Sequence, residues 1–363
     1  MPHRAIATLQ EIVRPHVGLG KSRLETLCLI VVGMISARTV NLSHLACERS
    51  TTALVASTYR RLQRFFQHAR LGSDWSAPLV IALLGLAGPW RLALDRTQWK
   101  LGTRDVNILM LAVVTRRARV PLMWSILDNN GGTSDTGERI ALMHRYLAIF
   151  GAASVRMLLA DREFVGVEWM DFLNENNIPF AIRMKEKLIV ATEDGHRLAL
   201  SSLLRKCRGV RTFRAALGRD DASGPLWLNF AARRLQGGEL LIVATNTPAR
   251  AALAAYRKRW AIECLFGDTK TRGLNLEDTR LVTPRKLALL LSLVALAVAW
   301  AARTAALLIG RKTPARKAHG YLAKSWFRIG FDQVRRLLRH DPAAAVIPWL
   351  IIASPRVRRA RVV

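Results

Sequence analysis

The sequence predicts an α/β protein with a mixed-sheet core, flanked by helical regions at both ends. From Arg91 onward, three short runs rich in branched residues follow one another, as in a three-stranded meander. Next come a helical segment, a fourth strand ending at Asp161, a helix over about 167–176 and a strand reading PFAIRM. This β-β-β-α-β-α-β order is that of a ribonuclease H-like core.

The first 85 residues show helical periodicity and little strand pattern, which predicts a helical N-terminal domain over residues 1–85. Its clearest helices are expected at 22–37, 42–46 and 51–66. The third lies in TTALVASTYRRLQRFFQHARL, where aromatic residues alternate with arginines. A helix that contacts nucleic acid and a core helix with a solvated basic face both explain this composition, and both interpretations are open.

A central domain is predicted over residues 86–310, with a β-rich insertion at about 186–248. The insertion is indicated by the strand-like pieces KLIVA, VRTFRAAL, PLWLNFAARRL and ELLIVATN, which Gly, Asp and Pro separate. A long helix is expected to follow, over about 250–270. Residues 311–363 are predicted to form a basic, helical C-terminal region.

The stretch 287–309, LALLLSLVALAVAWAARTAALLI, is long and apolar enough to imitate a membrane span. It is rich in Ala and directly follows a charged segment, as expected of a helix buried between other elements. We therefore predict a core helix and no membrane association.

The chain is strongly basic: 56 Lys and Arg oppose 26 Asp and Glu, which gives a formal net charge of +30. Such an excess predicts a polyanionic partner, and its spread along the whole chain suits DNA held by more than one region. The helical N-terminal domain is accordingly predicted to bind DNA.

Cysteine usage and the N-terminus both indicate a protein of the cell interior. The four cysteines lack paired CxxC spacing and neighbouring histidines, so they are interpreted as reduced thiols and not as zinc ligands. The first residues lack the apolar run and small-residue cleavage site of a secretory signal.

Two carboxylates fall at predicted strand ends, Asp95 in LALDRT and Asp161 in LLADRE. A sheet edge holds such side chains rigidly, but either aspartate alone is better explained as a turn cap. A third acid, Glu263, lies in YRKRWAIECLFGDTK. Other nearby acids are interpreted as surface or supporting groups: Asp105, Glu163 and Asp268.

On a continuous helix, four residues of this segment would share an arc about 60° wide. They are Tyr256, Arg259, Glu263 and Lys270. A surface that meets a metal and a phosphate explains this face, and so does a solvated ion-pair face. Converging carboxylates from three segments favour the first, since they can hold two hard divalent cations for in-line displacement at phosphorus.

These residues resemble the IS4 group of DDE transposases, related to the Tn5 and Tn10 enzymes, from about residue 92 to residue 300. The group's Y-x2-R-x3-E-x6-K signature is reproduced by Tyr256, Arg259, Glu263 and Lys270. Asp95 and Asp161 stand where its catalytic aspartates belong. Separations of 66 residues between the aspartates and 102 residues to the glutamate leave room for the insertion.

The resemblance implies a polynucleotidyl transferase that cuts DNA at transposon ends and joins them to target DNA. Asp95, Asp161 and Glu263 would be its catalytic residues and would bind two Mg²⁺ ions, for which Mn²⁺ can substitute. The other signature residues, Tyr256, Arg259 and Lys270, would position end phosphates and a flipped base. Trp227, the insertion's only Trp, is a candidate for stacking on that base.

The resemblance also implies a homodimer that pairs two terminal inverted repeats, excision through a hairpin, and a place in the bacterial cytoplasm at the nucleoid. Three rival interpretations of the sequence are open. A decayed or domesticated element would bind DNA without cutting it, but the acids and signature are all present. A ribonuclease H-like nuclease would have no need of the Tyr, Arg and Lys beside Glu263. A membrane protein would depend on 287–309.

Overall fold

A computed structural model describes residues 2–49, 53–101, 104–128, 132–218, 224–318 and 322–353, and its centre is one ten-stranded sheet. The strands are β1 (Trp90–Leu101), β2 (Arg104–Val114), β3 (Arg119–Leu127), β4 (Val155–Ala160), β5 (Phe180–Arg183), β6 (Ile189–Ala191), β7 (Arg197–Ala199), β8 (Val210–Leu217), β9 (Leu226–Arg234) and β10 (Leu240–Thr245). Their order across the sheet is β3-β2-β1-β4-β5-β10-β9-β8-β6-β7.

Helices cover this sheet and extend the chain at both ends. They are α1 (Pro2–Val13), α2 (Lys21–Ala37), α3 (Leu42–Cys47), α4 (Val55–His68), α5 (Ser76–Leu84), α6 (Thr136–Phe150), α7 (Val167–Glu175), α8 (Leu200–Leu203), α9 (Ala249–Tyr256), α10 (Trp260–Thr269), α11 (Pro284–Ile309), α12 (Trp326–His340) and α13 (Pro342–Val346). Short 3₁₀ turns include Leu276–Asp278.

The first five strands form the predicted core. β1, β2 and β3 make an antiparallel meander, and β4 lies parallel to β1, with β5 parallel to β4. α6 joins β3 to β4 and begins with a capping box, because Asp135 and Glu138 each accept a hydrogen bond from the other's backbone N–H. α7 joins β4 to β5. The β-β-β-α-β-α-β order is confirmed, and the chain has the expected ribonuclease H-like α/β fold.

The β-rich insertion continues the core sheet. β10 pairs antiparallel with β5, β9 with β10, and β8 with β9, while β6 and β7 complete the edge. The four predicted strands are present, and the structure adds β7 and α8, which are too short to give a periodic signal. Because β10 bonds to the neighbour of β4, the insertion is anchored close to Asp161.

The apolar stretch forms α11, a core helix as predicted. Among the described residues, α11 is the one helix that is long and apolar enough to cross a membrane. However, 89% of its most apolar 18-residue stretch is buried inside the protein. It packs against β3, α2, α5 and α12. In its C-terminal half, the Trp300 indole donates a 2.9 Å hydrogen bond to the Ala345 carbonyl and meets Trp349 edge-to-face.

The N-terminal helices agree with the predicted ones to within a few residues, and α1 and α5 are additional. α4 buries Leu62, Phe65 and Phe66 while Arg60 and Arg64 are exposed on its outer face. The apolar faces of these helices join the sheet in one continuous core. The proposed domain boundary at residue 85 stays a prediction.

The crossing of α11 and α12 depends on Gly330, and we expect Gly330→Ala to destabilise the fold by about 3 kcal/mol. A Cβ there would lie 1.8 Å from the Ala301 carbonyl oxygen, so the two helices would have to separate. Urea denaturation measures the loss. Gly72→Ala is the control, since nothing lies within 4 Å of a Cβ at Gly72. Equal stabilities for the two variants would contradict the close approach.

Candidate active site

Asp95 and Asp161 lie side by side at the edge where β1 extends beyond β4. The parallel register of these strands ends at the pair Leu94 and Ala160, so the next residue of each chain is one of the two aspartates. Adjacent strands lie about 4.8 Å apart, which brings both carboxylates to one place. Asp95 lies inside the 12-residue β1 and not at its end, because β2 pairs with β1 from Leu92 to Leu101.

The signature residues reach this edge from two helices and not from one. The predicted continuous helix over about 250–270 is wrong, since α9 ends at Tyr256 and α10 begins at Trp260. Between them the backbone forms i→i+3 hydrogen bonds, including 2.8 Å from Arg259 N to the Tyr256 carbonyl. This tighter turn occurs without Gly or Pro, so the sequence carried no breaker signal.

Arg259 stands at the centre of the three predicted carboxylates. Its guanidinium lies 3.2 Å from Asp95 Oδ2 and 3.9 Å from Asp161 Oδ2, and it also hydrogen-bonds Glu263. The Tyr256 hydroxyl donates a 3.1 Å hydrogen bond to Asp161. The Arg259 side chain is only 11% exposed. The structure thus gathers four of the predicted site residues around a fifth, the buried cation of Arg259.

Lys270 and Trp227 lie outside this cluster. Lys270 follows the last residue of α10, and its ammonium contacts the Gln98 carbonyl of β1 at 3.0 Å and Glu277 at 3.3 Å. It therefore sits along β1 from Asp95 and not beside Glu263. Trp227, on β9, is 36% exposed, and the Arg214 guanidinium lies 5.3 Å from its ring centroid.

Arg96 and Glu163 hold the two aspartate-bearing segments in place. The sequence places Glu163 among the surface or supporting acids, whereas no sequence pattern singles out Arg96. The Arg96 backbone N–H donates to Asp95 Oδ1 at 2.8 Å, and its side chain pairs with Glu163 at 3.2 Å. The same side chain donates to Asn107 on β2 at 3.1 Å. Because these residues follow Asp95 and Asp161 in sequence, the ion pair ties the two aspartate-bearing segments together.

Trp260 is a second residue that the sequence patterns did not single out. It is the first residue of α10, lies next to Arg259, and is 63% exposed. An aromatic ring this open, next to the basic Arg259, can stack on a nucleotide base. Only its position in the chain, between two residues of the signature, could have drawn attention to it.

Burial controls the electrostatics of the cluster. It raises the pKa of Asp95 to about 6, against the lowering effects of the Arg96 N–H and of Arg259. It also raises the pKa of Tyr256, whose hydroxyl stays a hydrogen-bond donor. Burial lowers the pKa of Arg259, but Tyr256, Asp161 and Asp95 outweigh it and raise the pKa above its ordinary value.

The donor set fits hard divalent cations, although the carboxylates now surround a guanidinium. Asp95, Asp161 and Glu263 offer six carboxylate oxygens, the ligands that Mg²⁺ and Mn²⁺ take in proteins. With Arg259 between them, no group of three His, Cys, Asp or Glu among the described residues is spaced to share one ion. Cation binding at this place would therefore require the Arg259 guanidinium to move away.

Mn²⁺ affinity is expected to fall by about tenfold for each pH unit well below 6, because Asp95 takes up a proton there and loses its charge. The same raised pKa makes the folded state bind the proton more tightly than the unfolded chain. Its contribution to stability is thus present below the ordinary pKa of 3.8 and lost as the pH rises through about 6.

Calorimetric Mn²⁺ titrations between pH 5 and 8 measure this dependence. Asp95→Asn should bind more weakly and lose the step near pH 6, whereas Glu168→Gln on the exposed face of α7 should keep it. A wild-type affinity that is flat from pH 5 to 7 would exclude Asp95 as a ligand.

Comparison with known proteins assigns the central part of the chain. No curated protein matches it. One similar solved structure is described as a cryo-EM structure of the piggyBac transposase synaptic complex with hairpin DNA, at 9% identity and a TM-score of 0.44, covering 97% of this chain and 77% of that one. A family model described as a transposase DDE domain matches residues 87–300. This range includes all ten strands and the four signature residues. The chain therefore belongs to the transposase DDE domain family.

Proposed function

We propose that this protein is a DNA transposase, which cleaves DNA at the ends of a mobile element and transfers the freed strands into target DNA. The observation that carries the proposal is the convergence of Asp95, Asp161 and Glu263 on Arg259 within a DDE domain. Within that family we assign the chain to the IS4 group, on the signature residues already described.

The three carboxylates would hold two Mg²⁺ ions, with Mn²⁺ as a substitute. When bound, the ions would supply activation of the attacking water or 3′-hydroxyl and stabilisation of the leaving oxygen. Arg96 and Glu163 would keep the two aspartates in place, and Tyr256 would orient Asp161 through its hydroxyl.

Arg259 has two alternative sets of partners in this proposal. In the structure it neutralises the carboxylates, and a phosphate would offer its guanidinium a planar, bidentate contact of comparable strength. Lys270, set along β1 from Asp95, would contact the next part of the same strand. Trp227 and the more exposed Trp260 are the two aromatic candidates for stacking on a displaced base.

The partners would be double-stranded DNA of the terminal inverted repeats and of the target, bound by a homodimer. The N-terminal helices would recognise the repeats, with α4 presenting Arg60, Gln63, Arg64 and Gln67 on its exposed face. Arg and Gln side chains can each read a base edge with two hydrogen bonds. The basic region 311–363, whose last ten residues lie outside the described ones, would add contacts. We place the protein at the bacterial nucleoid, in the cytoplasm.

The test uses purified protein, Mg²⁺ and a plasmid that carries the element's own ends, with a second plasmid as target. Excision together with insertion into the second plasmid is the expected result, and EDTA should stop both. Cleavage without joining would favour a ribonuclease H-like nuclease. A mobility shift on the ends without any cleavage would favour a domesticated DNA-binding protein.

A further inference from the structure

A groove of about 700 Å³ lies on the insertion, outside the carboxylate cluster. We call it the insertion groove. Its walls are the β9–β10 hairpin, the start of β8 and one face of α9. Its lining residues are Val210, Arg233, Leu235, Gln236, Gly237, Leu241, Arg250, Leu253, Ala254 and Arg257. The lining includes three arginines and no acidic residue.

The three arginines carry uncompensated charge. Arg233, Arg250 and Arg257 are all exposed, and within the described ranges none of them has an acidic partner within 4.0 Å. The surrounding sequence strengthens the field, since residues 195–258 hold twelve Lys and Arg against three Asp and Glu. A groove of this charge concentrates anions.

Two of the arginines follow the direction of α9, starting beside the candidate active site. Arg250 lies on α9 and Arg257 is its C-cap residue, seven residues and about 10 Å further along the helix axis. Arg257 directly follows Tyr256, whose hydroxyl contacts Asp161. One strand of duplex DNA presents a phosphate about every 3.4 Å along its axis, so 10 Å corresponds to roughly three phosphates. Two arginines at this separation match the phosphates of a polynucleotide better than a single small anion.

The hairpin wall is itself tied to the site. Glu239, on the β10 side of the hairpin, pairs with Arg183 at the end of β5 and lies 4.0 Å from Arg162, the residue after Asp161. The floor of the groove is apolar, formed by Leu235, Leu241 and Leu253. Sugars or bases can rest on such a floor while guanidinium groups bind the phosphates.

The sheet order places the insertion groove on the side of the site away from the N-terminal helices. The 3₁₀ turn Leu276–Asp278 packs on β1, and its Asp278 accepts a 2.9 Å hydrogen bond from Thr39, just before α3. This turn links the start of α3, and α4 packed on α3, to the β1 side of the sheet, whereas β8, β9 and β10 lie beyond β4 and β5. DNA held by α4 would leave the site toward the insertion.

We propose that the insertion groove binds the DNA backbone on the far side of the scissile phosphate, outside the element's end. This inference rests on the proposed transposase function, because that function defines which side is outside. Flanking donor DNA would occupy the groove before cleavage and target DNA during joining. Both present the same phosphodiester backbone to the arginines.

The test compares the triple variant R233Q/R250Q/R257Q with R4Q/R156Q/R311Q, which removes three charges from exposed arginines elsewhere. Fluorescence anisotropy measures binding to two duplexes, one ending flush at the element's tip and one carrying 20 base pairs of flank. A third ligand has a single-stranded flank. Each is titrated from 50 to 200 mM salt.

For the wild type, the flank should add to affinity and to the salt dependence. The groove variant should lose that gain, and the slope of log K against log salt should fall by about 2.7 on duplex flank and by about 2.1 on single-stranded flank. Binding to the flush duplex should be unchanged. R233K/R250K/R257K, which keeps the charge, should retain the wild-type slope, and the control triple should behave as wild type.

The groove proposal would be overturned if the groove variant lost equal affinity for the flush and the flanked duplexes, or if it did not differ from the control triple variant. Its failure and that of the proposed function are separable. Wild-type protein that excises and inserts but shows no flank effect rejects only the groove. Protein that never cleaves, yet loses flank binding in the groove variant alone, keeps the groove as a DNA site and rejects the transposase.

Discussion

Asp161→Asn and Glu263→Gln should each reduce strand cleavage at the element's ends by at least about 10³-fold while leaving DNA binding intact. Each substitution keeps the size of the side chain and removes one of the anionic ligands proposed for the divalent cations. In the proposed function the carboxylates contribute to chemistry and not to phosphate binding, so affinity for the ends should stay within about twofold of wild type or rise slightly with the lost negative charge.

Single-turnover cleavage of labelled end DNA, together with anisotropy on the same duplex, separates the two quantities. Glu168→Gln is the matched control, since it makes the same amide change at an exposed site on α7. Asp268→Asn is a second control on the helix of Glu263, where Asp268 instead pairs with Arg119 at 2.7 Å. Cleavage retained by either test variant would remove that residue from the catalytic set.

The parts of the site that could be read from the sequence are those fixed by local pattern. Asp161 directly follows a buried, branched run, and Asp95 lies in another, so both aspartates were expected at one sheet edge. The parallel register of β1 and β4 brings them into neighbouring positions. The apolar run 287–309 was expected to be buried, because its Ala content suits close helix packing, and α11 is buried.

The remaining features depend on long-range contacts that leave no local signal. A helical pattern indicates which residues are buried but not whether the helix axis bends. The turn between α9 and α10 therefore cannot be predicted from the sequence. The predicted single helix face is therefore broken. Tyr256, Arg259 and Glu263 still meet at the aspartates, but Lys270 instead contacts β1. Likewise, strand patterns in the insertion could not reveal that β10 would pair with β5.

Arg259→Met should destabilise the metal-free protein by about 2–4 kcal/mol. Removing one partner of a buried ion pair typically costs about 3–5 kcal/mol, because a charge is left buried without compensation. The estimate here is lower, since Asp161 and Glu263 are 28% and 34% exposed and partly solvated. Chemical denaturation in EDTA, at a pH above 7 where Asp95 is ionised, measures the loss.

Divalent cations should restore more stability to Arg259→Met than they add to the wild type. In the wild type a bound cation must displace the guanidinium from the carboxylates, whereas in the variant the carboxylates are free to accept it. Any ligand that binds only the folded state stabilises it in proportion to the logarithm of its concentration over its dissociation constant. The variant's Mn²⁺ affinity, measured by calorimetry without DNA, should accordingly exceed that of the wild type.

Lys258→Met, which removes an exposed cation from the same turn, is the control and should change neither stability nor Mn²⁺ affinity appreciably. The two measurements on Arg259→Met must move in opposite directions, with lower stability in EDTA and tighter Mn²⁺ binding. A variant that loses stability and also binds Mn²⁺ more weakly would mean that Arg259 holds the carboxylates in position for the ions. The Arg259 guanidinium would then help to form the cation site and would not compete with the cations for the carboxylates.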